Sequence, residues 1–152
     1  MRVSAKTDYA LRAAVELAAH PAGVPVKGER LATSQSIPLR FLENILLQLR
    51  HAGIVESRRG AEGGYRLARP AEEISLADVI RAIDGPLAGV SGQRPETLDF
   101  TGSSEPLREV WIAVRASLRA VLENVTLADV AAGELPDVVR GLVAEPDAWV
   151  SH

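Results

Sequence analysis

Apolar positions along the chain fall first into a helical rhythm, then briefly into a strand rhythm, then back into a helical one. Over residues 7–19, Ala10, Leu11, Ala14, Val15 and Ala18 recur at spacings of 1, 3, 1 and 3, the period of one helix face. Thr7 or Asp8 suits the N-cap, and His20-Pro21 with Gly23 ends the run. Residues 27–33 predict a short second helix with Leu31 and Ala32 inward. Ser34-Gln35-Ser36 is a polar turn of the length that joins two crossed helices. Pro38 fits the first turn of a third helix, where its missing N–H does no harm. Leu42, Ile45, Leu46 and Leu49 make that helix's buried face, while Arg40, Glu43, Asn44 and Gln48 lie on the others. Arg50 and His51 suit its negative end, and Gly53 stops it.

The period then changes. Residues 54–58 read as a strand, 59–64 as a Gly-containing loop and 65–68 as a returning strand, which together predict a hairpin. A hairpin placed directly after a helix–turn–helix is a wing. Ser75 with Asp78 three residues on reads as a capping box, opening a helix to about residue 84 with Ile74, Leu76, Val79, Ile80 and Ile83 inward. Residues 85–106, rich in Gly, Pro, Ser and Thr, predict a loop. Pro106 opens the most regular helix. Its stripe of Leu107, Val110, Trp111, Val114, Leu118, Val121, Leu122 and Val125 is spaced 3, 1, 3, 4, 3, 1 and 3. Residues 107–124 would span roughly 27 Å, and so long an apolar stripe needs a partner surface. Thr126-Leu127-Ala128-Asp129 caps a further short helix. No element is assigned after Gly133, where Trp149 looks exposed.

Charge changes the picture more than composition does. The net charge of −3 argues against nucleic acid, but it is unevenly spread. Residues 1–70 hold 11 Lys/Arg against 6 Asp/Glu, whereas residues 71–152 hold 6 against 14. A split of this kind hints at a basic binding face in the first half. With no cysteine among 152 residues, disulfides and thiolate metal sites are excluded. The N-terminus lacks the apolar run of a signal peptide, and no segment approaches the roughly 20 apolar residues of a membrane span. The expectation is a cytoplasmic protein with no membrane partner.

The order helix, helix–turn–helix, wing, helix, loop, long helix carries the functional reading. A major groove admits one α-helix, whose N-terminal residues read base edges. That end here offers Ser36, Arg40, Glu43 and Asn44. Arg can pair with guanine, Asn with adenine, and Glu can accept from cytosine. Arg58 and Arg59 on the wing would lie beside a minor groove or phosphate, where the negative potential favours arginine. Lys6, Lys27, Arg30, Arg50, Arg58 and Arg66 are candidates for phosphate contacts, which position without specifying. Tyr9 and Phe41, taken by themselves, read as packing residues. Ser34 and Ser36 lack the surroundings of a nucleophile, and no phosphate-binding loop or paired-carboxylate motif marks an enzyme.

These residues resemble a known family, the IscR-type regulators of bacteria (the Rrf-two family, which includes NsrR and CymR). The resemblance covers about residues 1–130. It is carried by Met1-Arg2 through Lys6-Thr7-Asp8-Tyr9-Ala10-Leu11, Ile37-Pro38-Leu39-Arg40-Phe41-Leu42-Glu43, and Leu49-Arg50-His51-Ala52-Gly53-Ile54-Val55. It continues in Arg58-Arg59-Gly60 with Gly63-Gly64-Tyr65-Arg66-Leu67, and in Ile74-Ser75-Leu76-Ala77-Asp78-Val79-Ile80. It implies a winged-helix DNA-binding domain and a long dimerising helix. By position, Ser36, Pro38, Arg40, Phe41 and Glu43 match the recognition-helix region, and Arg59 matches the wing arginine. Many relatives hold an iron–sulfur cluster on three cysteines in the loop before the long helix. Residues 89–105 here contain no sulfur ligand, and Arg108 stands where some relatives have a fourth ligand. A cluster needs thiolates or imidazoles, so no cofactor and no metal site are expected, as in the CymR-like branch. Ala61-Glu62 also replaces a usual Pro-Gly pair in the wing, and Glu62 would be repelled by phosphate.

The expected fold is thus mainly α with a small β-hairpin. A winged helix-turn-helix domain (1–84) precedes a flexible loop (85–105), a dimerisation helix with a short following helix (106–132) and a tail (133–152). The expected function is sequence-specific binding of double-stranded DNA at a pseudo-palindromic operator by a homodimer, as a repressor without an iron–sulfur cluster. Three modes of control stand open: a small-molecule effector between the wing domain and the long helix, a protein partner on which DNA binding depends, or none.

Overall fold

The first helix begins earlier than its apolar rhythm suggests, because Ser4 caps it: its Oγ accepts a hydrogen bond from the Thr7 N–H at 3.1 Å. The computed structural model describes residues 2–151. Its helices are α1 (Ala5–Ala19), α2 (Gly28–Gln35), α3 (Leu39–His51), α4 (Leu76–Asp84), α5 (Leu107–Leu122), α6 (Leu127–Ala132) and α7 (Asp137–Ala144). Thr7, a candidate cap from sequence, is instead buried, and its hydroxyl donates to Asp84 at the end of α4. That tertiary contact outweighs a local cap.

Strands β1 (Val55–Arg58) and β2 (Gly64–Leu67) form the antiparallel hairpin, in the register Val55↔Leu67, Glu56↔Arg66, Ser57↔Tyr65 and Arg58↔Gly64. Val26 adds a rung on the other edge of β2. The Val26 N–H donates to the Tyr65 carbonyl at 2.7 Å, and the Tyr65 N–H returns a bond to Val26 at 2.8 Å. The connector before α2 thereby anchors the base of the wing.

One core runs through the first half. Ala10, Ala14 and Leu17 of α1 meet Leu31 of α2, Leu42, Ile45, Leu46 and Leu49 of α3, and Ile74 and Val79 around α4. Full burial of each large aliphatic side chain is worth about 1.5–3 kcal/mol, so this face fixes how α3 presents its opposite side. Capping boxes open α4 (Ser75, Asp78) and α6 (Thr126, Asp129). The chain returns to this core after α5. The Leu127 N–H bonds the Ile74 carbonyl and the Leu76 N–H bonds the Val125 carbonyl, both at 2.9 Å, and Leu127 is fully buried.

Val125 corrects an expectation. It was placed on the dimerisation stripe, but α5 ends at Leu122 and Val125 is buried within its own protomer. The helical spacing continued in the sequence after the helix had stopped. The rest of the stripe differs: α5 has no buried residue, and Leu107 and Val110 are 42% and 50% exposed. Trp111, Val114, Leu118, Val121 and Leu122 are half-buried.

Residues 85–106 are more ordered than their composition predicts. Short 3-10 turns form at Pro95–Thr97 and Gly102–Ser104, and Leu87, Pro95 and Leu98 are buried. The tail forms α7 and a turn at Pro146–Trp149, with Trp149 exposed as its sequence setting suggests. Among the described residues, no helix is long and apolar enough to cross a membrane.

Candidate nucleic-acid interface

The turn before α3 is made tight by Ser36, which caps α2 in the left-handed conformation (φ 53°, ψ 45°). A non-glycine residue tolerates that region at some cost, so the surroundings must hold it. They do. The Arg12 guanidinium of α1 donates to the Gln35 carbonyl, and the Gln35 side-chain amide donates to Glu16 at 2.6 Å. Arg12 also lies over the Tyr9 ring at 5.5 Å, and Tyr9 meets Phe41 edge-on at 5.9 Å between centroids. Helix α1 therefore clamps both the turn and the start of α3. Arg12, Glu16 and Gln35 were not singled out from sequence. Asp8, Arg12 and Glu16, spaced four apart on one face of α1, were the available signal.

Ser36, Pro38, Arg40, Phe41, Glu43 and Asn44 are all exposed, opposite the buried Leu42, Ile45, Leu46 and Leu49. Arg40, Phe41 and Asn44 line a shallow hollow of ≈ 340 Å³ together with Lys6 of α1. The structure thus brings these sequence-selected positions together. Phe41 has a double character: its ring packs on Tyr9, yet it remains 49% exposed. Asn44 Oδ1 accepts from Gln48 at 2.8 Å, which steadies both side chains on the outer face.

The wing is held to the helices by its glycines. A Cβ on Gly63 would lie 2.1 Å from the Arg58 carbonyl oxygen, and one on Gly64 (φ +147°) would lie 2.5 Å from that of Val26. Only glycine allows the hairpin to close so tightly. At the tip, Lys27 Nζ donates to the Gly60 carbonyl at 3.1 Å, so the candidate phosphate contact at Lys27 and the wing tip sit side by side. Arg58 and Arg59 are exposed.

The candidate phosphate residues divide in two. Arg66 is occupied: it pairs with Glu56 across the hairpin and donates to the Gly23 carbonyl at 3.2 Å. Arg50 donates to Ser57 Oγ at 3.1 Å, bracing α3 against β1. By contrast Lys6, Arg30, Arg40, Arg58 and Arg59 make no ion pair among the described residues. A cation without an internal partner remains available to an external anion.

A helix–turn–helix joined to a glycine-closed hairpin defines the class, a winged-helix regulator. The family profile described as an iron-dependent transcriptional regulator, Rrf2, matches residues 3–133, and the chain belongs to that family. It is 54% identical over 142 residues to the HTH-type transcriptional regulator Rv1287 of Mycobacterium tuberculosis, named there as putative, covering 93% of this chain and 88% of that one. It is 36% identical over 132 residues to the HTH-type transcriptional regulator CymR of Bacillus subtilis, covering 86% and 90%. The solved structure of B. subtilis CymR, the global cysteine regulator of that organism, superposes with a TM-score of 0.74 at 33% identity, covering 88% of this chain and 98% of that one. That of T. potens IscR gives 0.68 at 33%, covering 100% and 93%. The family and these relatives are transcription regulators, not enzymes.

The family description raises the question of iron. The chain has no cysteine and three histidines. His20 bonds the Glu16 carbonyl at 2.8 Å, His51 stands at the far end of α3, and His152 lies outside the described residues. Among the described residues, no group of three His, Cys, Asp or Glu is placed to hold a metal ion. This donor set does not fit an iron–sulfur cluster.

Proposed function

We propose that two copies of this chain bind double-stranded DNA sequence-specifically as a homodimer, each inserting α3 into a major groove and laying its wing along the neighbouring backbone or minor groove. Arg40, Glu43 and Asn44, with Ser36, Pro38 and Phe41, would meet base edges. Lys6, Lys27, Arg30, Arg58 and Arg59 would meet phosphate or minor groove, with Arg50 and Arg66 acting mainly as braces. Residues 1–84 would be the DNA-binding unit, completed by the return of α6. Residues 85–105 connect it to α5, the dimerisation helix. The observation that carries the reading is the two-sidedness of α3. Its inner row is fully buried, while its outer row is exposed and joined by unpaired cations from α1 and the wing.

A homodimer is supported by α5, whose apolar stripe finds no complete cover within one protomer. A pseudo-palindromic operator follows from two-fold symmetry. The protein would act in the cytoplasm as a repressor, by occupying DNA that polymerase needs. It would work without an iron–sulfur cluster, because the ligands are missing from the sequence itself. Control by a protein partner or a small-molecule effector is the second reading, supported by the clefts between α4, residues 85–97 and α5.

The test is an anisotropy titration with an operator duplex over a range of salt. Arg59→Ala should weaken binding at every salt, reduce the slope of log affinity against log salt by about 1, and leave the dimer intact. Unchanged affinity and slope would remove the wing from the interface.

A further inference from the structure

Residues 71–152 are strongly acidic overall, with only 6 basic residues against 14 acidic ones. Four of those six, Arg81, Arg94, Arg115 and Arg119, nevertheless line one cleft of ≈ 430 Å³ between the end of α4, the segment after Gly85 and α5. Two carboxylates answer them. Glu96 pairs with Arg115, and Glu123 pairs with both Arg81 and Arg119. Glu96 is held below the usual carboxylate range by its own backbone N–H and by Arg115, and Glu123 by Arg81 and Arg119. Both therefore stay ionised and are already committed. Arg94 makes no ion pair among the described residues. Four guanidiniums against two carboxylates leave an excess of two positive charges in a space sized for a small molecule. Exposed ion pairs contribute little stability on their own, so pairing alone does not account for gathering these arginines from three separate elements. Guanidinium groups bind carboxylate and phosphate oxygens in bidentate fashion.

We propose that this cleft binds a small metabolite carrying a doubly charged oxyanion, a phosphate-type or dicarboxylate group, with Arg94 and Arg115 as principal contacts. Such a ligand would tie α4, a helix of the DNA-binding unit, to the dimerisation helix α5. That placement suits an effector. Its effect on transcription rests on the DNA-binding reading above, but binding of the anion to the free protein does not.

Isothermal titration of the full-length protein at constant ionic strength tests it, with pyrophosphate and malonate as probes and chloride as control. One of the two should bind saturably at one site per chain, and the choice between them says which oxyanion the cleft prefers. Arg94→Ala, on an exposed loop position, should weaken binding by about tenfold or more, the loss expected for one charge-assisted contact. Anion-free duplex affinity, measured alongside by anisotropy, should not change in that variant. Three results would overturn the proposal: no saturable binding of either probe, binding unaffected by Arg94→Ala, or duplex affinity lost without anion, which would make the cleft a contact for DNA phosphate. A protein that binds anion but no duplex would sink the DNA reading and leave this one standing.

Discussion

Leu107→Glu combined with Val110→Glu should yield a folded monomer whose operator affinity falls about 100-fold or more. Both side chains are largely exposed on α5, so the protomer loses no core and its helical circular dichroism should persist. In a dimer the same positions would be covered, and four buried carboxylates without partners would be costly. α5 contributes 16 residues, about 24 Å of helix, enough to set two recognition helices at a fixed separation. Linked half-sites gain 10²–10⁴-fold over independent ones, roughly, because the second contact is intramolecular. Light scattering coupled to gel filtration reads the oligomer and anisotropy reads the affinity. A variant that stays dimeric would show that α5 is not the dimerisation surface.

Gly64→Ala should damage the wing more than any single arginine substitution there. The new methyl group would stand 2.5 Å from the Val26 carbonyl oxygen, at a φ of +147° that alanine adopts poorly. Relief requires β2 to move away from Val26, giving up the two backbone hydrogen bonds between Val26 and Tyr65. At about 1 kcal/mol for each bond plus the backbone strain, the loss is about 2–4 kcal/mol. A urea midpoint reads the stability, and the same anisotropy assay should show weaker binding than Arg59→Ala. An unchanged midpoint would mean that the close approach of β2 to Val26 is not a real constraint on the hairpin.

What was legible from the sequence was local. The capping boxes at Ser75 and Thr126 need only four consecutive residues, and both form as read. The α3 face of Leu42, Ile45, Leu46 and Leu49 was equally plain, since a single period over several turns specifies one side of a helix. Pairings over long sequence distances were not legible. Thr7 looked like a cap because its partner Asp84 lies 77 residues away. Arg66 looked free because Glu56 becomes its neighbour only through the hairpin register. Val125 fitted the stripe because helical spacing carries on in a sequence after the helix has ended. The double glycine marked a loop, but the reason for it, the backbone of Val26, comes from a segment almost forty residues earlier. The loop before α5 looked merely polar, while Leu87, Pro95 and Leu98 find cover that composition does not reveal. The interface residues themselves were selected correctly as an exposed set. Their division into braces and free cations required the coordinates.

Whether α3 and the wing read a duplex as a symmetric pair is tested most directly by selecting DNA from a random pool at moderate, stated salt. An inverted repeat should be enriched, with half-site centres one helical turn or a multiple of it apart, roughly 34 Å or more. Arg40→Ala should relax the preference at one position of each half-site, costing about 1–3 kcal/mol there. A pool that yields no enriched sequence, or only a single unrepeated half-site, would contradict a dimer that reads DNA through these residues.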